Sequence, residues 1–171
     1  MDFEIREATE GDLADITRIY NFAIEHTTAT FDTETKTIGD RLKWFQMRTH
    51  AYPVIVATIG GQVVGWADIR RYGDRKAYRY SVENAVYVDP EHQRKGIGTA
   101  LLGRLIEIAM ENGYHAILAL IVAGNMCSIR LHESFGFREV GVMREVGWKF
   151  DTWLDVVIMQ KLLNTSGQQT E

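Results

Sequence analysis

Between Val88 and Leu102 the chain reads VDPEHQRKGIGTALL, and this segment restricts the fold more than any other. Ahead of it, YRYSVENAVYVD has the β-branched and aromatic content of a strand, halted by Asp89 and Pro90. Behind it, TALLGRLIEIAMENG places apolar residues at helical spacing and stops at Gly113, a suitable C-cap. A strand must therefore pass into a helix across a short turn that contains Gly96 and Gly98. Glycine permits a tight bend and lets a ligand approach the main chain closely. The first amides of the helix lack carbonyl partners, and the helix dipole adds partial positive charge there. With Arg94 and Lys95 supplying full charges, the turn from Gln93 to Thr99 reads as a phosphate seat. The plainer alternative is a strand-to-helix connection with solvated basic residues. A P-loop is excluded because Lys95 precedes Gly96 instead of following a second glycine. A dinucleotide-binding turn is excluded because Gly96, Ile97 and Gly98 are followed by Thr99, Ala100 and Leu101, with no third glycine in place.

The remaining pattern supplies the neighbours of this junction. FEIREA alternates as a short strand, and Thr9 is placed to cap a helix with apolar positions Leu13, Ile16, Ile19, Ala23 and Ile24. Thr37 opens a second helix carrying Leu42, Trp44, Phe45 and Met47. PVIVATIGGQVVGWADI is two β-rich runs around Gly60 and Gly61, a hairpin signal. HAILALIV is almost wholly apolar, as expected of a strand covered on both faces. A helix around Ser128 to Phe135 ends at Gly136, and WLDVVIMQKL supplies a last strand. The order β α α β β β α β α β predicts an α/β domain with a mixed sheet. We expect one domain over residues 1–163 and a frayed polar tail over 164–171.

No apolar run approaches a membrane span, and the first ten residues lack a signal-peptide layout, so a cytoplasmic protein is expected. Cys127 is the only cysteine, in agreement with a reducing compartment. With 19 Lys and Arg against 23 Asp and Glu, the molecule as a whole is not drawn to nucleic acid or to anionic membrane. Any anion must meet a local cluster. One such cluster is RRYGDRKAYR, with Arg70, Arg71, Arg75, Lys76 and Arg79 against the single acid Asp74. The histidines show no metal-binding spacing, so no metal is expected.

Gln93-Arg94-Lys95-Gly96-Ile97-Gly98 resembles the Q/R-x-x-G-x-G/A signature of the GNAT superfamily of N-acetyltransferases. NMCSIRLHESFGF, from Asn125 to Phe137, is similar to that family's N-x-x-S/A-x-x-L-Y-x-x-x-G-F element. SVENAVYV, HQRKGIG, RLHESFGF and VGWKFDTWLDVVIMQ resemble the phosphinothricin and methionine sulfoximine N-acetyltransferase branch. The resemblance implies a mixed, mostly antiparallel sheet of six to seven strands flanked by about four helices. It implies acetyl-CoA as cosubstrate, with its pyrophosphate on Gln93 to Thr99 and its pantetheine along the backbone of Val86, Tyr87 and Val88. Asn125 and, more weakly, Ser128 would hold the pantetheine amides; a helix N-cap is the plainer role for Asn125.

The same resemblance places a catalytic carboxylate at Glu83, which would take the proton of the acceptor amine. Its alternative is an ion pair with Arg79 or another member of the basic run. Where many members carry a tyrosine that protonates the departing thiolate, this chain has His132, whose imidazole can donate a proton or serve structurally. The acceptor pocket would include Phe31, with Thr30 beside it, and Arg71, Arg75 and Lys76, candidates to hold a carboxylate or acidic side chain. The implied acceptor is a small amino acid or analogue of phosphinothricin, methionine sulfoximine or methionine sulfone type, and a homodimer is expected, with Trp148, Phe150 and Trp153 as candidate interface residues. Acetylation of protein N-termini or lysines, and a non-catalytic acyl-CoA-binding module, are the competing readings.

Overall fold

FEIREA forms β1 (Glu4–Glu7), and the run beginning at Leu13 forms α1 (Leu13–His26) after a short 3-10 turn capped by Thr9. The five apolar positions read from the 3.6 period of α1 are all buried, each worth about 1.5–3 kcal/mol for a large side chain. Helix α2 (Ile38–Gln46) starts at Thr37, which accepts the Asp40 amide at 3.1 Å while Asp40 returns a bond to the Thr37 amide at 3.0 Å. The chain continues as β2 (Val54–Ile59), β3 (Gln62–Arg71), β4 (Ser81–Val88), α3 (Ile97–Glu111), β5 (Ala116–Val122), α4 (Met126–Ser134), β6 (Arg138–Lys149) and β7 (Thr152–Leu162). This is a computed structural model, and it describes residues 2–163; the tail expected over 164–171 lies outside them.

All seven strands join one sheet in the order β1-β2-β3-β4-β5-β7-β6. Every neighbouring pair is antiparallel except β4 and β5, which run parallel. Helix α3 covers one face over Leu101, Leu102 and Leu105, and α1 covers the other over Val56, Val63 and Trp66. The mixed, mostly antiparallel sheet with four helices is the architecture expected.

Three local readings change. The residues from Arg138 to Lys149 form a full strand, which the sequence pattern did not declare because most of its side chains are exposed and it pairs only with β7. Helix α2 buries Arg41 rather than a continuous apolar face, and Met47 is 75% exposed just beyond its end. Strand β5 is buried on both faces except at Leu120, which is 42% exposed because the sheet opens beside it.

Candidate active site

The opening comes from the register of the two parallel strands. Ser81, Val82 and Glu83 of β4 face Ala116, Ile117 and Leu118 of β5, and pairing ends there. Strand β5 runs on with β7 to Val122, while β4 runs on with β3 to Val88. From Asn84 onward β4 therefore presents unpaired main-chain groups to a widening gap. A cavity of about 350 Å³ fills that gap. It is walled by the β4 residues Glu83 to Tyr87, by β5 from Ala119 to Val122, and by α4 through Ser128 and His132.

Two further elements close it. The loop after α1 contributes Thr30 and Phe31. It is held by Lys149, whose ammonium donates to the carbonyls of Thr27 and Thr30 at 2.8 Å each, and by a two-way bond between the Asn21 amide and the Lys36 backbone. Strand β6 bulges between Met143 and Gly147, with Glu145 at φ 47°. Asp155 of β7 stabilises the bulge by accepting the Glu145 amide at 2.8 Å and Arg144 at 2.7 Å. The bulge aims Met143 and Val146 into the cavity. Gly147 sits beneath the Phe31 ring, where a Cβ would lie 2.2 Å from ring carbon Cε2.

Glu83 occupies the fork of the two strands, and its carboxylate is paired with Arg70 of β3, the residue directly opposite it in register. The Glu83 side chain is 13% exposed and that of Arg70 is 45% exposed. The partner of Glu83 is thus a member of the basic run, as the alternative reading allowed, though it is not Arg79. Arg70 lines the cavity; Arg71, Arg75 and Lys76 do not, being exposed at the end of β3 and on the 3-10 turn that follows. Sequence reasoning set out the run but not which member faces inward. The signal was the two-residue period of β3, which puts Trp66, Asp68 and Arg70 on one face.

His132 is 4% exposed. Its Nδ1 lies 2.7 Å from the Ser128 carbonyl, which can only accept, so the ring proton is on Nδ1. Its Nε2 then accepts from the Asn84 amide nitrogen at 2.9 Å. Burial pushes the imidazole below its ordinary 6.5, although the Ser128 bond pulls the other way. Asn84 was not singled out in the sequence; its Oδ1 is buried without a partner. Asn125 does cap α4, its side chain accepting the Ser128 amide at 3.2 Å, and it also lines the cavity. Tyr87 and Val86 line the cavity as well, and burial raises the Tyr87 phenol above its usual range, so it stays protonated.

The glycine turn lies just past the end of β4. Asp89 accepts the Glu91 amide at 3.0 Å and pairs with Arg18 of α1, which fixes where the turn begins. Arg94 at φ 59° and Gly96 at φ 83° are both left-handed, and consecutive amides in such a turn converge on a concavity suited to an anion. A Cβ on Gly96 would meet nothing within 4 Å, so the space above it is open. The Lys95 ammonium donates to the Glu91 carbonyl at 2.8 Å. Ile97 is buried beneath the helix start, while Gln93, Arg94, Lys95, Gly96 and Thr99 are exposed; Val88 and Gly98 are half-buried.

The model of the acetyltransferase (GNAT) family matches residues 16–137. The chain belongs to that family. An L-methionine sulfoximine/L-methionine sulfone acetyltransferase of Salmonella typhimurium is 44% identical over 161 residues, 94% of each chain. A phosphinothricin N-acetyltransferase of Streptomyces viridochromogenes is 36% identical over 158 residues, 92% of this chain and 86% of the other. An acetyltransferase structure from Salmonella typhimurium, solved with its cofactor acetyl-CoA, superposes at a TM-score of 0.93 with 41% identity, covering 99% of this chain and 98% of the other. The protein is an N-acetyltransferase with acetyl-CoA as its cosubstrate. The acetyltransferase has, among its described residues, no group of three or more His, Cys, Asp or Glu placed to hold a metal ion, and no helix long and apolar enough to cross a membrane.

Proposed function

We propose that this enzyme acetylates the α-amine of a free small amino acid or amino-acid analogue, of the phosphinothricin, methionine sulfoximine or methionine sulfone type, by direct transfer in a ternary complex. The observation that carries the reading is the Glu83–Arg70 pair on the cavity wall. A zwitterion complements both halves: its ammonium replaces Arg70 at Glu83, and its carboxylate takes Arg70 in exchange. The cavity, narrowed by Phe31 on Gly147, suits a free amino acid better than a peptide chain.

Acetyl-CoA supplies an activated thioester, and the chain's own residues do the rest. The turn from Gln93 to Thr99 holds the pyrophosphate through its amides, with Arg94 and Lys95 adding charge. The open β4 edge at Val86, Tyr87 and Val88 pairs with the pantetheine as an added strand would. Asn125, with Ser128 beside it, borders the same channel. Glu83 takes the ammonium proton, the amine lone pair forms the C–N bond, the C–S bond breaks, and the second proton lost from the nitrogen as the amide forms passes to the departing thiolate. Because the His132 ring proton is committed to the Ser128 carbonyl, we assign His132 to holding Asn84 and α4 in place rather than to protonating the thiolate. Cys127 is exposed and outside the cavity lining, which agrees with a route that has no acyl-enzyme. Arg71, Arg75 and Lys76 contribute to the positive potential at the mouth.

The test is acceptor choice. The purified enzyme is incubated with acetyl-CoA and free amino acids, including methionine sulfone, methionine sulfoximine and phosphinothricin, and in parallel with peptides bearing free N-termini or lysines. Thiol release and product masses are then measured. Acetylation confined to free amino acids is expected; comparable acetylation of peptides contradicts it.

A further inference from the structure

The loop between α1 and α2 lends Thr30 and Phe31 to the cavity, yet its main chain has no strand to lie against. Among the described residues, no backbone-to-backbone hydrogen bond joins residues 28–36 to the sheet. Side chains tie the loop to α1: the Tyr20 hydroxyl donates to Asp32 at 2.9 Å and lies 3.0 Å from Thr30 Oγ1, and Asn21 bonds both ways with the Lys36 backbone. From the sheet, the hydrogen bonds that reach it come from Lys149, the last residue of β6. Its acceptors, the Thr27 and Thr30 carbonyls, are 122 and 119 positions away in the sequence.

That ammonium is costly to bury. Lys149 is 4% exposed, and among the described residues no carboxylate pairs with it. Burial lowers its pKa from the ordinary 10.5; Asp32, which acts in the opposite sense, is itself paired with Lys36 at 3.1 Å. The Phe150 ring, with its centroid 5.0 Å from Nζ, compensates only in part. What the cation gives in return is two charge-assisted bonds, stronger than neutral ones. Because the two acceptors are three residues apart, one side chain fixes both ends of the span from Thr27 to Thr30.

The alternation of β6 shows what the span is fixed for. Gly147 and Lys149 are two residues apart and face the same side, whereas Trp148 between them is 52% exposed. Gly147 lies beneath the Phe31 ring, and Lys149 takes the main chain just before that ring. One face of β6 therefore sets the backbone at Thr30 and the ring at Phe31, the two residues that wall the cavity holding Glu83 and Arg70. Lys149 itself does not line that cavity.

We propose that Lys149 is a positioning residue of the acceptor site, acting through Thr30 and Phe31, which it holds against the space the acceptor occupies. This rests on the reading of that cavity as the acceptor site.

The experiment compares Lys149→Met, which keeps a long side chain without its donors, with Lys149→Gln, which keeps two N–H donors without the charge. Lys149→Met should raise the KM of the best free amino-acid acceptor about tenfold and Lys149→Gln about threefold, while the acetyl-CoA Kd, measured by calorimetry, stays within about twofold of wild type. Phe31→Ala should raise the same KM, and adding Lys149→Met to it should change it by no more than about twofold further, because the clamp acts through that ring. Loss of stability alone would lower the folded fraction, and so kcat, with KM unchanged. That result, or full additivity with Phe31→Ala, overturns the proposal. If Lys149→Met does not fold, Lys149→Gln decides, alone and with Phe31→Ala. If no free amino acid is acetylated, the proposed function fails by itself, and the same constants are measured with the peptide that is; an acceptor KM that the Lys149 variants leave unchanged overturns the proposal with either acceptor.

Discussion

His132 is a single buried imidazole with two polar neighbours, and its geometry allows one assignment of its proton. Protonating the ring would leave two donors facing the Ser128 carbonyl and the Asn84 NH2, so Asn84 would have to turn its oxygen inward. The folded-state pKa is below the ordinary 6.5. The unfolded chain therefore binds the proton more readily, and stability present above pH 6.5 is lost as pH falls below it. The wild-type melting temperature should fall between pH 7 and 5 by more than that of His132→Gln, as differential scanning fluorimetry can show; parallel curves would remove the titration from the account. Phe31 makes a separate prediction. Since a Cβ on Gly147 would enter the ring at 2.2 Å, Gly147→Ala displaces Phe31 from the cavity wall. The acceptor KM should rise about tenfold with acetyl-CoA binding nearly unchanged, measurable by steady-state kinetics and calorimetry. At this scale Glu83 and His132 could be named from their motifs, and both line the cavity. Arg70 could not be named in this way, because its inward position depends on the β3–β4 register, and five basic residues within ten positions do not reveal a register. Arg41 was hidden for a related reason, since a charged residue on a short helix reads as solvent-facing.

The strand fork and the start of α3 carry the account at the level of elements. Pairing of β4 with β5 ends at Glu83, so the open edge begins beside the carboxylate, and in the proposed mechanism one break in the sheet would serve both as cosubstrate track and as the place of the base. The turn after β4 depends on left-handed backbone at Gly96. Gly96→Ala has room for its Cβ but a strained backbone, at a cost of about 1–2 kcal/mol. The expected outcome is a roughly tenfold weaker acetyl-CoA affinity by calorimetry, with acceptor KM little changed. An unaltered affinity would mean that the turn does not need that conformation. The junction was legible because a strand pattern, two glycines and a helical period follow one another without a gap. Strand β6 was not: its pattern is broken by two register shifts and its side chains are mostly exposed, so no periodic burial marked it. Its bulge matters all the same, since it supplies Met143 and Val146 to the cavity.

Over the whole molecule, the β6–β7 end presents an apolar surface that no other described residue covers. Trp148 and Trp153 meet edge to face at 5.0 Å and are 52% and 58% exposed, with Phe150 52% exposed nearby. Aromatic residues clustered in this way are typical of the centre of an interface. Two-fold pairing through this patch would bring a second copy close to Phe31 and Gly147. Light scattering should give twice the chain mass of 19.5 kDa, and Trp153→Asp should shift it to the monomer; a monomeric wild type contradicts the expected homodimer. The proposed chemistry turns on Glu83 taking the proton of the acceptor amine. The most direct measurement is thiol release by Glu83→Gln beside wild type near neutral pH, with acetyl-CoA affinity measured on both. The account predicts a kcat lower by about 10²-fold or more and an acetyl-CoA Kd within about twofold of wild type; unchanged turnover would contradict it.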